Sequence, residues 1–165
     1  MTQTANRILI LAFGNPGRRD DGLGPALGAQ IAALDLPGVR VETDLQLQLE
    51  DATSIADHDV VIFVDASVSD PAPFVFRPVE PGGTLSFTTH SVSPSALLAL
   101  AREHFDAKPA GWVLAVRGYD FEGFGDGISE KAAANLRDAT KFLVESLEKH
   151  SFQKLVRRDA CAPSV

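Results

Sequence analysis

Three runs of the chain are apolar at every position: Ile8-Leu9-Ile10-Leu11-Ala12-Phe13, Val60-Val61-Ile62-Phe63-Val64 and Trp112-Val113-Leu114-Ala115-Val116. A strand with one face in water alternates apolar and polar residues, so a run without alternation is expected to be buried on both faces. A parallel sheet covered by helices on either side meets that condition, and it requires helical segments between the strands.

The sequence supplies such segments. After Asp20-Asp21, the apolar residues Leu23, Leu27, Ile31 and Leu34 recur at helical spacing until Pro37-Gly38 stops the pattern. A short strand is predicted over 39–43 and a helix over 49–56. Ser93-Pro94 provides an N-cap and first-turn proline for a helix carrying Leu97, Leu98, Ala101 and Phe105. Ser129 is placed to cap a last helix in which Ala132, Leu136, Leu143 and Leu147 share a face. Segment 74–87 has Phe74, Phe76 and Pro78 on one side and a Pro81-Gly82-Gly83 turn, which reads as a hairpin or edge pair. The expected fold is α/β, with a single domain over 1–150. It is a three-layer α/β/α arrangement of a mainly parallel twisted sheet, helices on both faces and right-handed crossovers. From Ser151 onward no period is present, and 151–165 is predicted to be a flexible tail.

The chain has 165 residues, enough for one self-sufficient core. Fifteen Lys and Arg against twenty-two Asp and Glu leave a net charge of −7, so nothing attracts a phosphate backbone or an anionic bilayer. Neither nucleic acid nor membrane is an expected partner. The lone Cys161 excludes an internal disulfide and a thiolate metal cluster, which fits a reducing compartment. The polar start of the chain shows no secretory cleavage pattern, and no apolar run is long enough to span a bilayer. A cytoplasmic monomer is expected.

In an open parallel sheet, ligands bind beyond the carboxyl ends of the strands. The polar residues expected there are Asp20 and Asp21 after the first run, Asp65 after the third strand, and Tyr119 and Asp120 after the last. His90 follows a predicted strand over 84–87 and reaches the same edge if that strand runs parallel. Asp21, Asp65 and His90 would then converge. Two carboxylates and an imidazole suit a zinc- or nickel-class cation with open coordination positions. Each residue also has a purely structural reading. Asp20 or Asp21 can cap the helix that begins near Gly22, Asp65 can end a strand beside Ser67, and His90 can hydrogen-bond to loop backbone. His58, His104 and His150 are assigned to the surface. The glycines around Asn15 match neither GxGxxG nor GxxxxGK[ST], and consecutive acids at a helix N-terminus would repel a pyrophosphate. No HExxH or GxSxG motif is present. The glycine-rich segment 118–127 exposes Tyr119, Phe121 and Phe124 as a flexible loop suited to gripping a substrate's tail, or it is an ordinary long loop.

The stretch Gly14-Asn15-Pro16-Gly17-Arg18-Arg19-Asp20-Asp21-Gly22-Leu23-Gly24 resembles the GNxxxxD[DE]GxG signature of the hydrogenase maturation endopeptidases, between first strand and first helix as in that family. Val64-Asp65-Ala66 and Thr89-His90 follow in the family's order, so the resemblance covers nearly the whole chain apart from the tail. It implies a three-layer α/β protease that removes a C-terminal extension from the [NiFe]-hydrogenase large-subunit precursor once nickel is installed. It also implies that Asp21, Asp65 and His90 contact the metal, and that the nickel is supplied by the substrate. A nickel-binding chaperone or checkpoint module without peptidase activity is the competing reading, and a nucleotide-dependent enzyme with an atypical phosphate loop is a third. The sequence departs from the family at Glu42-Thr43-Asp44-Leu45-Gln46-Leu47-Gln48-Leu49-Glu50, where many members carry a D-x-G-T type motif. Asp44 stands at the family's acid, and Gln46-Leu47-Gln48 resembles the branch serving soluble, NAD-linked hydrogenases.

Overall fold

The computed structural model describes residues 6–83 and 92–149. Five strands form one sheet in the order β2-β1-β3-β5-β4: β1 (Ile8–Phe13), β2 (Val39–Asp44), β3 (Val60–Ser67), β4 (Phe74–Val79) and β5 (Ala110–Arg117). β1, β2, β3 and β5 are mutually parallel, and β4 closes one edge antiparallel to β5. Pro78 is tolerated in β4 because an edge strand leaves one row of backbone donors unused.

The absence of alternation in the apolar runs has the expected origin. Ile8, Ile10 and Ala12 of β1 pack into one core together with α1 (Leu23–Ala32) and α4 (Glu130–Glu148). The intervening Leu9 and Leu11 pack into a second core with α2 (Asp51–Ala56) and α3 (Pro94–Phe105). The same division separates Ile62 and Val64 from Val61 and Phe63 in β3. The sheet is therefore buried on both faces, giving the predicted three-layer α/β/α architecture. Both predicted caps are present: Ser93 Oγ accepts from Ala96 N at 3.1 Å, and Ser129 Oγ from Ala132 N at 3.4 Å. Phe76 stacks on Trp112 with ring centroids 4.8 Å apart, which seats the edge strand on the α4 side of the sheet.

Two apolar residues placed in predicted helices, Leu34 and Leu49, lie outside them. Leu34 is 48% exposed, because α1 ends at Ala32 and the chain turns through Asp35 at φ 46° before reaching Pro37. Leu49 is also exposed, since α2 begins at Asp51. Phe105 closes α3 as expected, with its side chain exposed at the helix end. Residues 84–87, the predicted second limb of the hairpin, and the predicted tail lie outside the described residues.

The chain leaves β1 toward one side of the sheet to form β2 and then crosses to the other side to form β3. The carboxyl ends of β1 and β3 therefore flank a topological switch point, where a crevice opens. α1 starts close against this edge. A Cβ built on Gly24 would stand 2.3 Å from Phe13 O and 2.9 Å from Val64 O, both backbone atoms that cannot retreat cheaply. Helix propensity alone would favour alanine here by about 1 kcal/mol, yet the overlap predicts that Gly24→Ala destabilises the protein by about 1–3 kcal/mol. Urea unfolding checks this through a lower midpoint at unchanged slope; a raised midpoint would refute the close approach.

Candidate functional site

The loop from β1 to α1 is shaped by its own residues. Asn15 Oδ1 accepts from Gly17 N at 2.9 Å, closing an Asx turn, and Arg18 N donates to Asn15 O at 3.0 Å. Gly14 lies at φ 144°, and a Cβ there would meet Asp21 O at 2.1 Å, so the chain can fold back on itself at this point with glycine. A short 3-10 turn, Arg19–Gly22, then delivers Asp20 and Asp21 in opposite roles.

Asp20 faces inward with none of its surface exposed. Its Oδ2 accepts from Tyr119 N at 2.8 Å, Asp120 N at 2.9 Å and Ser129 Oγ at 2.7 Å, while Oδ1 accepts from Ser129 N at 2.7 Å. Burial by itself would push this carboxyl up, but the backbone donors of Asp120, Ser129 and Tyr119 and the Ser129 hydroxyl outweigh it. The group is held below its ordinary value. Neither this 3-10 turn nor α1 has a side-chain cap, so neither acid serves as the helix cap considered from the sequence.

Asp21 is half-buried, and its Oδ2 accepts from Asn15 N at 3.0 Å. Asp65 lies within β3, opposite Ala115 of β5 and one residue past the last β1 partner, Val64. It therefore belongs to the end of the strand itself, slightly earlier than the position after the strand that the apolar run suggested. Asp65 Oδ1 accepts from Ala66 N at 2.8 Å. Among the described residues, neither Asp21 Oδ1 nor Asp65 Oδ2 has a hydrogen-bond partner. Within the described residues each acid thus has one oxygen held by backbone and one without a partner.

The charge of Asp21 is felt at Asp65. The Asp65 carboxyl is pushed up to about 6: burial raises it most, the hydrogen bond from Ala66 N opposes that, and the charge of Asp21 adds a smaller upward push. Asp65 lines a groove of about 610 Å³ whose walls include Phe13, Phe63, Val79 and Val113, with Arg77 and Glu80 at its edge. A half-buried acid on an apolar wall, beside a second acid, is an arrangement that either titrates near neutrality or binds a cation. Among the described residues no three His, Cys, Asp or Glu side chains form a metal-holding group. His90, the third residue of the expected trio, lies outside the described residues.

The remaining sequence candidates sort differently. Tyr119 and Asp120 reach the same edge, but their backbone donates to Asp20, and the Asp120 side chain pairs with Arg19 at 3.5 Å. Asp44 is exposed at the end of β2, where its backbone oxygen accepts from Gly14 N at 3.1 Å. With Glu42 and Asp51 it lines a separate cavity of about 140 Å³. There burial first, and then the charges of Glu42, Asp44 and Glu50, push the Asp51 carboxyl up against a hydrogen bond from Gln48 N. His58 is half-buried with Nδ1 2.6 Å from Ser54 O, and His104 is exposed, both away from the acid pair; His150 lies outside the described residues.

Loop 118–127 is pinned. Arg19 N donates to Gly125 O at 3.0 Å and Gly125 N to Gly17 O at 2.8 Å, in addition to the Asp20 bonds. Phe121 is half-buried with its ring tip over Gly118, in contrast to its expected exposure, whereas Phe124 is 84% exposed. Sequence reasoning missed the buried anchor, Asp20. Its available signal was a second acid directly preceding Asp21.

With this geometry in place, the fold can be compared with known ones. No protein-family model and no curated protein matches the sequence. Solved structures do: the chain has the fold of the hydrogenase maturation endopeptidases. It is similar to the hydrogenase maturating endopeptidase HybD from E. coli at 20% identity, over 87% of this chain and 93% of that one, with a TM-score of 0.66. Against the [NiFe] hydrogenase maturation protease HycI from Thermococcus kodakarensis the values are 21%, 87%, 93% and 0.67. Against the hydrogenase 2 maturation peptidase from a Thaumarchaeota archaeon they are 22%, 86%, 98% and 0.62.

The raised Asp65 carboxyl has a signed consequence. Between its ordinary value of 3.8 and about 6, the folded state retains a proton that the unfolded chain has released. Stability contributed by this group therefore falls as pH rises through that window, by an amount on the order of 3 kcal/mol. In chelator-treated protein, Asp65→Asn is expected to be more stable than wild type near neutrality, with the difference shrinking as pH falls from about 6 toward 3.8. Urea midpoints of both proteins across that range test it; a constant difference would remove the assigned shift.

Proposed function

We propose that this protein is an endopeptidase that removes the C-terminal extension of a [NiFe]-hydrogenase large-subunit precursor after nickel insertion. The observation that carries the reading is the pairing of Asp21 and Asp65 at the switch point of a fold shared with hydrogenase maturation endopeptidases. The nickel belongs to the substrate, and its arrival is the recognition event. Asp21, Asp65 and His90 are the residues proposed to contact it.

The chemistry of the donor set supports this assignment. The spare oxygens of Asp21 and Asp65 are hard, anionic donors on neighbouring backbone-anchored carboxylates, and a divalent cation relieves their mutual repulsion. A metal delivered in this way supplies Lewis acidity toward a scissile carbonyl or a water. In the metal-free protein an Asp65 carboxyl pushed up to about 6 is mostly ionised at neutral pH, so its anionic form is available to an arriving cation. The groove beside Asp65 would receive the peptide flanking the bond. A cytoplasmic monomer is part of the proposal; among the described residues no helix is long and apolar enough to cross a membrane.

Intact-mass spectrometry of nickel-loaded and nickel-free precursor, before and after incubation, tests the proposal. Loss of a C-terminal peptide from the loaded form alone is the expected result, and it should disappear with His90→Ala or Asp65→Asn. Unchanged mass together with measurable nickel binding would instead establish a chaperone or checkpoint module.

A further inference from the structure

Phe124 is the most exposed large apolar side chain among the described residues, at 84%. Scattered surface apolar residues are ordinary, but this one differs in three respects. Its backbone is fixed, because Gly125 exchanges hydrogen bonds with Gly17 and Arg19, and Asp20 ties down both flanks of the loop. Its shoulders are bare: Gly123 and Gly127 sit at φ 74° and 100°, and a Cβ at either would meet nothing within 4 Å. Its ring carries a cation, with the Arg18 guanidinium 5.8 Å from the centroid.

A rigid aromatic knob between two bare glycines fits a concavity better than a flat surface. It has little conformational freedom left to lose on binding. Among the described residues Arg18 has no ion pair, so its donors remain for an acceptor at the rim of that concavity. The Arg18 backbone oxygen accepts from Asp21 N at 3.1 Å, so the cation that backs the Phe124 ring stands on the turn that carries Asp21, and the knob adjoins that turn.

Resting on the proposed peptidase reading, we propose that Phe124, backed by Arg18, is a docking anchor that inserts into an apolar pocket on the folded large-subunit precursor, with Arg18 meeting a carbonyl or carboxylate at the pocket rim. Phe124 acts at binding and takes no part in bond cleavage. Its loss therefore falls on KM.

The test is steady-state processing of the nickel-loaded precursor by wild type, Phe124→Ala and Phe124→Leu, together with their affinities for that precursor. Truncation of an anchor of this kind should raise KM and Kd roughly thirtyfold, leave kcat within about twofold, and leave the melting temperature within about 2 °C. Phe124→Leu should recover most of the affinity. Cleavage by Phe124→Ala with wild-type KM and Kd would overturn the anchor and leave the peptidase standing. A wild-type protein that neither binds nor cleaves the precursor would overturn the peptidase, and the anchor with it.

Discussion

One buried carboxylate holds the working edge of this molecule together. Asp20 is inaccessible to solvent, and moving a lone carboxylate into such a place would cost several kcal/mol. It is tolerated because four donors, two of them on Ser129, saturate its oxygens in charge-assisted hydrogen bonds. The partners lie about a hundred residues along the chain, so the bonds join the loop leaving β1 to the loop entering α4. Ser129 extends the connection by accepting from Ala132 N at the start of α4. Removing the acid would leave buried backbone donors unpaired on one side of the crevice and free the adjoining turn on the other.

The turn so fixed carries Asp21, whose charge is felt at Asp65 because the chain reverses its direction of travel across the sheet between β1 and β3. The fold brings the two acids together at an energetic cost, since Asp65 is partly desolvated and faces a like charge. Stability lost at such a point is characteristic of a site under functional constraint. The glycines on either side have steric roles: Gly14 and Gly24 stand where backbone oxygens leave no room for a Cβ. The signature Gly14-Asn15-Pro16-Gly17-Arg18-Arg19-Asp20-Asp21-Gly22-Leu23-Gly24 thus combines a turn, an interloop anchor and a single outward-facing acid.

Much of the layered architecture was legible in the sequence, because full burial of β1, β3 and β5 erases alternation, and that erasure is visible in the residues. Element ends were less legible. Leu34 continues an apolar period past the point where backbone geometry ends α1, and Leu49 lies before α2 begins. Asp21 and Asp65 could be placed at one edge, since strand order in a doubly wound sheet dictates it. The division of labour between Asp20 and Asp21 could not be read, because it depends on donors at Tyr119, Asp120 and Ser129 that only tertiary structure brings near. The same bonds explain why loop 118–127, glycine-rich and mobile by composition, is fixed while Phe121 turns inward and Phe124 outward.

The central claim is that Asp21 and Asp65 form one electrostatically coupled site. Carbon-detected NMR titration of the Asp65 side-chain carboxyl, in chelator-treated wild type and in Asp21→Asn, measures that coupling directly. The account predicts a midpoint of about 6 in wild type, moving down when the neighbouring charge is removed. A midpoint at the ordinary value of 3.8, or one indifferent to Asp21, would contradict it.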